Sequence, residues 1–342
     1  CQALRPKSTS FKPPPCSGWA RLRGLQPVPM DSTPSTATGT CSSPSLSPVG
    51  DGPPIKKARM LSTDWATPAT EWDAMLARCI PAIVALRVSA VRPTDHDGAG
   101  VSWGTGFVVD GAKGLLITNR HVVSTSPARI LAIFDQHEEL DVDLIYRDPL
   151  HDFALLRFDP SGLYLTQRHV ELPLAPQSLR VGLEVRVVGN DDGEKLQILQ
   201  GTIARVDRNS PNYSDGIGDE NTLYAGCGSN CSGGASGSPV VNAAGEAVAI
   251  LAGGSTSTSS DFFLPLDRVV YAVERLRAGL PVPRGSVRVR FLFEAWAKLQ
   301  RLGLSVQRRD ELLELDPSLR GLLVVERALE GSAAQELVAA GD

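Results

Sequence analysis

The chain has 342 residues, a net charge of −4 and 42% hydrophobic residues, which is room for one large domain or two of about 150 residues each. The acidic balance argues against general nucleic-acid binding. No run of 18 apolar residues supports a transmembrane helix, and no apolar signal-peptide core stands near the start. The first residue is Cys1 rather than Met, so a targeting segment ahead of it stays open.

Residues 1 to about 65 are rich in Ser, Thr, Pro and Gly and lack apolar periodicity. Such a stretch cannot bury enough surface to offset its ordering entropy and is predicted to be disordered. Within it, Pro53-Pro54-Ile55-Lys56-Lys57-Ala58-Arg59 reads either as a nuclear import signal or as a solvated charge cluster. Glu71 to Cys79 carries a helical stripe of Trp72, Met75, Leu76 and Cys79, with Thr67 or Thr70 as cap and Pro81 as stop.

Short strands follow, split by Gly, Pro and Asp. A first set of six reads as Ile83 to Val91, Gly106 to Asp110, Leu115 to Thr118, Ile130 to Phe134, Leu140 to Tyr146 and Phe153 to Phe158. Glu184 to Gly189, Leu196 to Val206, Ser238 to Val241, Ala247 to Ala252 and Phe262 to Leu264 form most of a second set. Many short strands with turn signals predict an all-β pair of sandwiches or barrels. Val269 to Leu276 reads as a closing helix and Pro281-Val282-Pro283-Arg284 as a linker. Beyond it, Val287 to Phe293 and Leu322 to Glu326 read as strands, and Glu294 to Leu302 and Ser332 to Val338 as helices.

The six cysteines, at 1, 16, 41, 79, 227 and 231, form no disulfide framework and suit a reducing compartment. Cys227 and Cys231, spaced C-x-x-x-C, are two loop thiols or a redox-sensitive disulfide. No second Cys/His pair completes a zinc site.

Gly234-Ala235-Ser236-Gly237-Ser238-Pro239 follows a polar, glycine-rich loop at Gly226 to Gly233 and leads into Val240-Val241. A serine hydroxyl needs a base to take its proton and donors for the developing oxyanion. Glycine two residues before Ser236 lets the N–H groups of Gly234 and Ser236 converge on one point. Ser238 stands where a complete Gly-x-Ser-x-Gly elbow would carry glycine.

Of five histidines, at 96, 121, 137, 151 and 169, only His121 directly follows an apolar strand and precedes valines. Asp152 stands immediately before the strand Phe153 to Leu156, where an ionised carboxylate needs a partner. An imidazole N–H is such a partner and fixes the tautomer that lets the other nitrogen act as base. Asp148, in a turn with Pro149, is the weaker candidate, and His151 is expected to point away. His121 and Asp152 come from the first strand set and Ser236 from the second, so they are predicted to meet between two barrels.

With these residues in place, the chain resembles the chymotrypsin-fold serine proteases of the HtrA/Deg family. The resemblance rests on Gly104-Thr105-Gly106-Phe107-Val108-Val109, Thr118-Asn119-Arg120-His121-Val122-Val123, His151-Asp152-Phe153-Ala154-Leu155-Leu156 and Ser232 to Pro239. Tyr146 to Pro149, Val187 to Asp191, Gly193-Glu194-Lys195 and Phe262 to Leu266 are similar to the branch containing a fungal Nma-type nuclear protease and a plant Deg relative. In that branch serine commonly stands at the position of Ser238. The match covers about residues 66 to 280.

The resemblance implies two six-stranded β-barrels and a serine endopeptidase acting on unfolded or regulatory proteins. It assigns His121, Asp152 and Ser236 to catalysis, the N–H groups of Gly234 and Ser236 to the oxyanion hole, and Ala252, Gly253 and Gly254 to the substrate pocket. Small residues and no acid there imply cleavage after small to medium apolar residues. No metal or cofactor is needed. Asn209 to Asn221 and Gly254 to Asp261 are long loops near the site, which in this family order on activation.

Residues 285 to 342 resemble the first part of a PDZ domain, with Arg284-Gly285-Ser286-Val287 where a carboxylate-binding loop would lie. Partners implied are protein or peptide substrates, C-terminal peptides at the PDZ segment, and further copies of the chain in a homo-oligomer. The compartment implied is the nucleus, with the chloroplast as alternative. Three other readings stay open: a non-catalytic chaperone or peptide-binding scaffold, a β-rich esterase, and a PDZ interaction protein with an incidental barrel.

Overall fold

The computed structural model describes residues 70–94, 98–123, 125–166, 170–191, 195–211, 219–228, 234–255 and 260–342. The expected disordered segment, its basic cluster and Cys231 lie outside them.

Helix α1, Glu71–Cys79, opens with a capping box in which Thr70 Oγ1 accepts from Asp73 N and Asp73 accepts from Thr70 N. This satisfies two orphan donors reciprocally and settles the cap on Thr70. The helix buries Met75, Leu76 and Cys79, and Ile80–Ala82 continue as a 3-10 turn in which Pro81 supplies no donor.

Six strands then close the first barrel: β1 Ile83–Ala90, β2 Gly100–Asp110, β3 Leu115–Thr118, β4 Ala128–Ile133, β5 Glu139–Arg147 and β6 Ala154–Arg157. Their order is β1-β2-β3-β6-β5-β4, antiparallel throughout. β2 begins six residues before the expected start. Gly104 masks that earlier part as a turn signal, yet Gly104 and Gly106 are both strand residues where space is tight. A Cβ on Gly104 would lie 2.5 Å from Val122 Cγ1, and one on Gly106 would lie 3.1 Å from the Ile117 carbonyl oxygen.

The second barrel comprises β7 Glu184–Asp191, β8 Lys195–Asn209, β9 Leu223–Cys227, β10 Pro239–Val241, β11 Ala247–Ser255 and β12 Ser260–Pro265. Its order is β10-β11-β12-β9-β8-β7. β9 corrects the sequence reading, which assigned no strand here and began the glycine-rich loop at Gly226. Tyr224, Ala225, Gly226 and Cys227 are all buried, so no period-two alternation marks it. Gly226 lies where a Cβ would meet Arg208 Cδ at 2.7 Å.

The segment joining the barrels is pinned to both. Leu172 N donates to Val108 O in the first barrel, and Ala175 N donates to Ala247 O in the second. Helix α2, Asp267–Arg277, lays Val269, Ala272 and Val273 on the same core as Phe107 and Leu156. Two closed barrels leave no open sheet edge and meet along a seam, which is where side chains from distant strands can converge.

After α2 come β13 Val289–Ala295, α3 Trp296–Arg301, α4 Val306–Leu315 and β14 Gly321–Ala328. β13 and β14 form a two-stranded sheet. α4 was not foreseen, since its residues are exposed or half-buried and carry no apolar stripe. Ser332 to Val338 is shorter than expected, reduced to the 3-10 turn Ala333–Glu336. Among the described residues no helix is long and apolar enough to cross a membrane.

Candidate active site

The histidine and aspartate stand together. His121 Nδ1 lies 2.7 Å from Asp152 Oδ2, and the His121 main-chain N–H donates to Asp152 Oδ1 at 2.9 Å. Asp152 is fully buried, while the His121 side chain keeps 30% exposure. One face of the pair is thus dry and the other open to a reactant. β3 delivers His121, because Leu115 to Thr118 is wholly buried and the chain turns out at its end. The buried start of β6 holds Asp152 through Phe153 and Ala154.

Ser236 arrives from the other barrel. Its carbonyl oxygen accepts from Thr105 N at 2.8 Å, and the Thr105 carbonyl accepts from Thr118 Oγ1 at 2.8 Å. Two hydrogen bonds therefore join the serine main chain to the strand end that carries His121. Thr105 Oγ1 donates to Gly234 O at 3.0 Å and accepts from Asn190 N at 3.0 Å, which makes Thr105 a pin through the seam. Gly234 and Gly237 have φ of 88° and 90°, which favour glycine. A Cβ on Gly237 would lie 2.0 Å from the Thr105 carbonyl oxygen, so no other residue fits beside the pin.

Within this loop Gly237 N donates to Leu251 O and Ser238 N to Ala235 O. Ser238 is fully buried and its Oγ donates to Ala235 O at 2.5 Å, so its hydroxyl is engaged in holding the turn. Of the expected pocket residues, Ala252 is buried and marks a bulge in the β11–β12 pairing between Leu251 and Gly253. A Cβ on Gly253 would meet nothing within 4 Å, which leaves open space beside the bulge. Gly254 is exposed. A cavity of about 640 Å³ lies elsewhere, lined by Ile80, Ile133, Phe134 and Leu196. His121, Asp152 and Ser236 are not among its lining residues.

A second cluster flanks the aspartate turn. Asp148 is fully buried and accepts from Tyr146 OH at 2.7 Å, Leu150 N at 2.9 Å, His151 N at 2.7 Å and Arg284 Nη2 at 3.0 Å. Burial raises the Asp148 carboxyl, but the bonds from His151, Tyr146 and Leu150 outweigh it and hold the group well below the carboxylate range. His151 is buried, with Nδ1 3.4 Å from Asp148 Oδ1 and in contact with the Arg284 guanidinium. It sits in the turn before β6 rather than on the strand. Arg284, expected beside a carboxylate-binding loop, is instead spent on this cluster.

Arg284→Ala is therefore expected to lower stability at pH 7 by about 3 kcal/mol, the cost of leaving a buried charge unpaired. The depressed Asp148 carboxyl contributes stability above its unfolded pKa, and that contribution fades as pH falls through its folded value. Protonating Asp148 removes its ion pair with Arg284, so the gap between parent and variant should narrow as pH falls from about 4 toward that folded value. Urea midpoints at neutral and acid pH measure it; a gap constant across that range would contradict the pairing.

Sequence reasoning did not find Thr105 as a pin, Arg120, Asp219 or Arg284. Arg120 Nη2 reaches Asp219 Oδ1 at 3.3 Å, and Asp219 Oδ2 accepts from Asp152 N at 2.9 Å and Tyr224 OH at 2.6 Å. Asp219 belongs to a Gly/Asp-rich stretch that read as loop, and nothing in its spacing pointed at Asp152.

A model of the trypsin-like peptidase domain matches residues 104–250. Over 274 residues the chain is 45% identical to the pro-apoptotic serine protease NMA111 of Vanderwaltozyma polyspora, covering 80% of this chain and 28% of that protein. It is 41% identical over 293 residues to Protease Do-like 7 of Arabidopsis thaliana, covering 82% and 26%. The chain thus spans little more than a quarter of the length of these relatives. Among solved structures, the HtrA-type protease AlgW with decapeptide superposes with a TM-score of 0.55 at 20% identity, covering 79% of this chain and 83% of that one. At that identity the likeness shows the fold.

Proposed function

Because the chain belongs to the HtrA/Deg family of trypsin-like serine proteases, we propose that it hydrolyses peptide bonds with His121, Asp152 and Ser236. The observation that carries this is the buried Asp152 carboxylate against His121 Nδ1, with Ser236 tied across the seam through Thr105. Ser236 Oγ attacks the peptide carbonyl and its proton passes to His121 Nε2. The tetrahedral intermediate collapses, His121 gives that proton to the leaving amine, and an acyl-serine remains. Water then enters, His121 takes its proton, and the ester bond breaks to free the acid and restore the Ser236 hydroxyl.

Asp152 holds the tautomer and stabilises the imidazolium. The N–H groups of Gly234 and Ser236 are assigned to the oxyanion, each worth about 3 kcal/mol in the transition state. Ala252, Gly253 and Gly254 are assigned to the pocket for the residue before the cut, and the open space at Gly253 suits a small to medium apolar side chain.

Residues 285–342 are assigned to a peptide-binding PDZ segment, supported by the β13–β14 pair and its helices, and a homo-oligomer and a nuclear location complete the reading. Sedimentation tests the assembly, and imaging of a tagged chain separates nucleus from chloroplast. The decisive experiment is labelling with a fluorophosphonate probe and mapping the adduct. Modification of Ser236, blocked by prior denaturation, is expected; an adduct on another residue would replace the assigned nucleophile. The scaffold reading predicts no adduct at all.

A further inference from the structure

An aspartate that orients a histidine must itself be held. Both oxygens of the Asp152 carboxylate face His121, Oδ1 toward the main-chain N–H and Oδ2 toward Nδ1. Its carbonyl oxygen accepts from Asn119 Nδ2 at 2.9 Å. Its main-chain N–H donates to Asp219 Oδ2 at 2.9 Å.

Asp219 comes from the second barrel, just before β9. Its carboxylate is completely shielded from solvent. Oδ2 also accepts from Tyr224 OH on β9, and Oδ1 accepts from Arg120, the residue before His121. The Asp219 carbonyl accepts from Ser210 Oγ at 3.0 Å, which ties the segment to the end of β8. Every side-chain partner of this carboxylate is a donor, so an amide could satisfy only part of the set.

Burying a carboxylate beside the Asp152 carboxylate is unfavourable. Burial raises the Asp219 carboxyl and the neighbouring Asp152 charge adds to it, while bonds from Tyr224 and Asp152 N and the Arg120 charge oppose it. A turn needing only hydrogen bonds would not require a buried anion. What the anion does here is join Arg120, Asp152 and Tyr224 from two barrels at one point.

We propose that Asp219 is a positioning residue for the His121–Asp152 pair, fixing the Asp152 main chain from the opposite barrel. The proposal rests on the hydrolytic reading above for its kinetic consequence, though not for the bond itself. Misplacing a catalytic group by about 1 Å can cost about a hundredfold in rate without changing substrate binding.

The test uses the whole chain with a peptide substrate. Asp219→Ala is expected to lower kcat by about 10–100-fold, with KM held within about twofold. Asp219→Asn, which keeps one oxygen for the Asp152 N–H, is expected to recover part of the loss. A folded Asp219→Ala with parental kcat would overturn the proposal, as would a loss confined to KM. Amide hydrogen exchange at Asp152, read in the unsubstituted chain, checks the bond without any variant. Slow exchange supports it, and exchange at the rate of an unstructured peptide overturns it. An inactive parent that takes no probe would overturn the hydrolytic reading instead, and the exchange measurement then decides the bond alone.

Discussion

Ser236→Ala is expected to lower kcat by about 10⁶-fold while the melting temperature stays within a few degrees of the parent. The substitution removes one oxygen from a half-buried site and leaves the main-chain bonds of the loop in place, including Thr105 N to Ser236 O and Gly237 N to Leu251 O. The groups assigned to the oxyanion and to the substrate pocket are untouched, so residual catalysis over water is still expected. Single-turnover hydrolysis of a peptide ester or amide measures the loss. Activity falling by less than about tenfold would mean that another group attacks. Ser238 is excluded from that role by its burial and by the bond its hydroxyl gives to Ala235 O.

Asp152→Asn is expected to cost about 10⁴-fold in kcat with the fold intact. Oδ1 faces the His121 main-chain N–H and Oδ2 faces His121 Nδ1. An asparagine can keep an oxygen toward only one of them. Keeping it on the main-chain N–H turns the amide NH₂ toward Nδ1 and forces the imidazole proton onto Nε2. That nitrogen can then no longer accept the Ser236 proton. The opposite flip preserves the tautomer but sets NH₂ against a main-chain N–H in a dry site, at a cost of about 1–3 kcal/mol for the unmet donors. Both outcomes depress turnover, and fluorophosphonate labelling of Ser236 should slow in parallel. A variant that labels at the parental rate would show that Asp152 does not set the histidine.

Much of the fold was legible where burial alternates or runs unbroken. β3 was placed at both ends, and β1, β5 and β7 to within a few residues, because Val, Ile and Leu there are bounded by Gly, Pro and Asp. β9 was not legible, since both its faces are covered and no alternation of apolar and polar residues marks it. The start of β2 was hidden because its glycines serve close approach rather than a turn. α4 escaped because it packs little of its surface and so carries no stripe.

The site divides in the same way. His121, Asp152 and Ser236 are each visible locally as candidates: an imidazole at a strand end, a carboxylate entering a core, a serine between glycines. It was their order along the chain and the family resemblance that joined them. Asp219 and Arg284 are not visible in this way, although both are as deeply engaged. Arg284 looked like part of a linker, and its role exists only because the chain returns to lay it on Asp148. His151 looked like a strand residue turned aside, whereas the turn at Asp148 folds it inward.

The amino-acid order alone determined that the chain is built of many short strands and marked out candidates for reactive chemistry, because hydrophobic period and residue type act over a few neighbours. Folding in three dimensions decided which groups hold those side chains. Thr105, Arg120, Asp219 and Arg284 gain their roles from hydrogen bonds spanning 28 to 136 positions. A buried polar group must find its partner wherever the packed backbone delivers one, and no local pattern records where that will be.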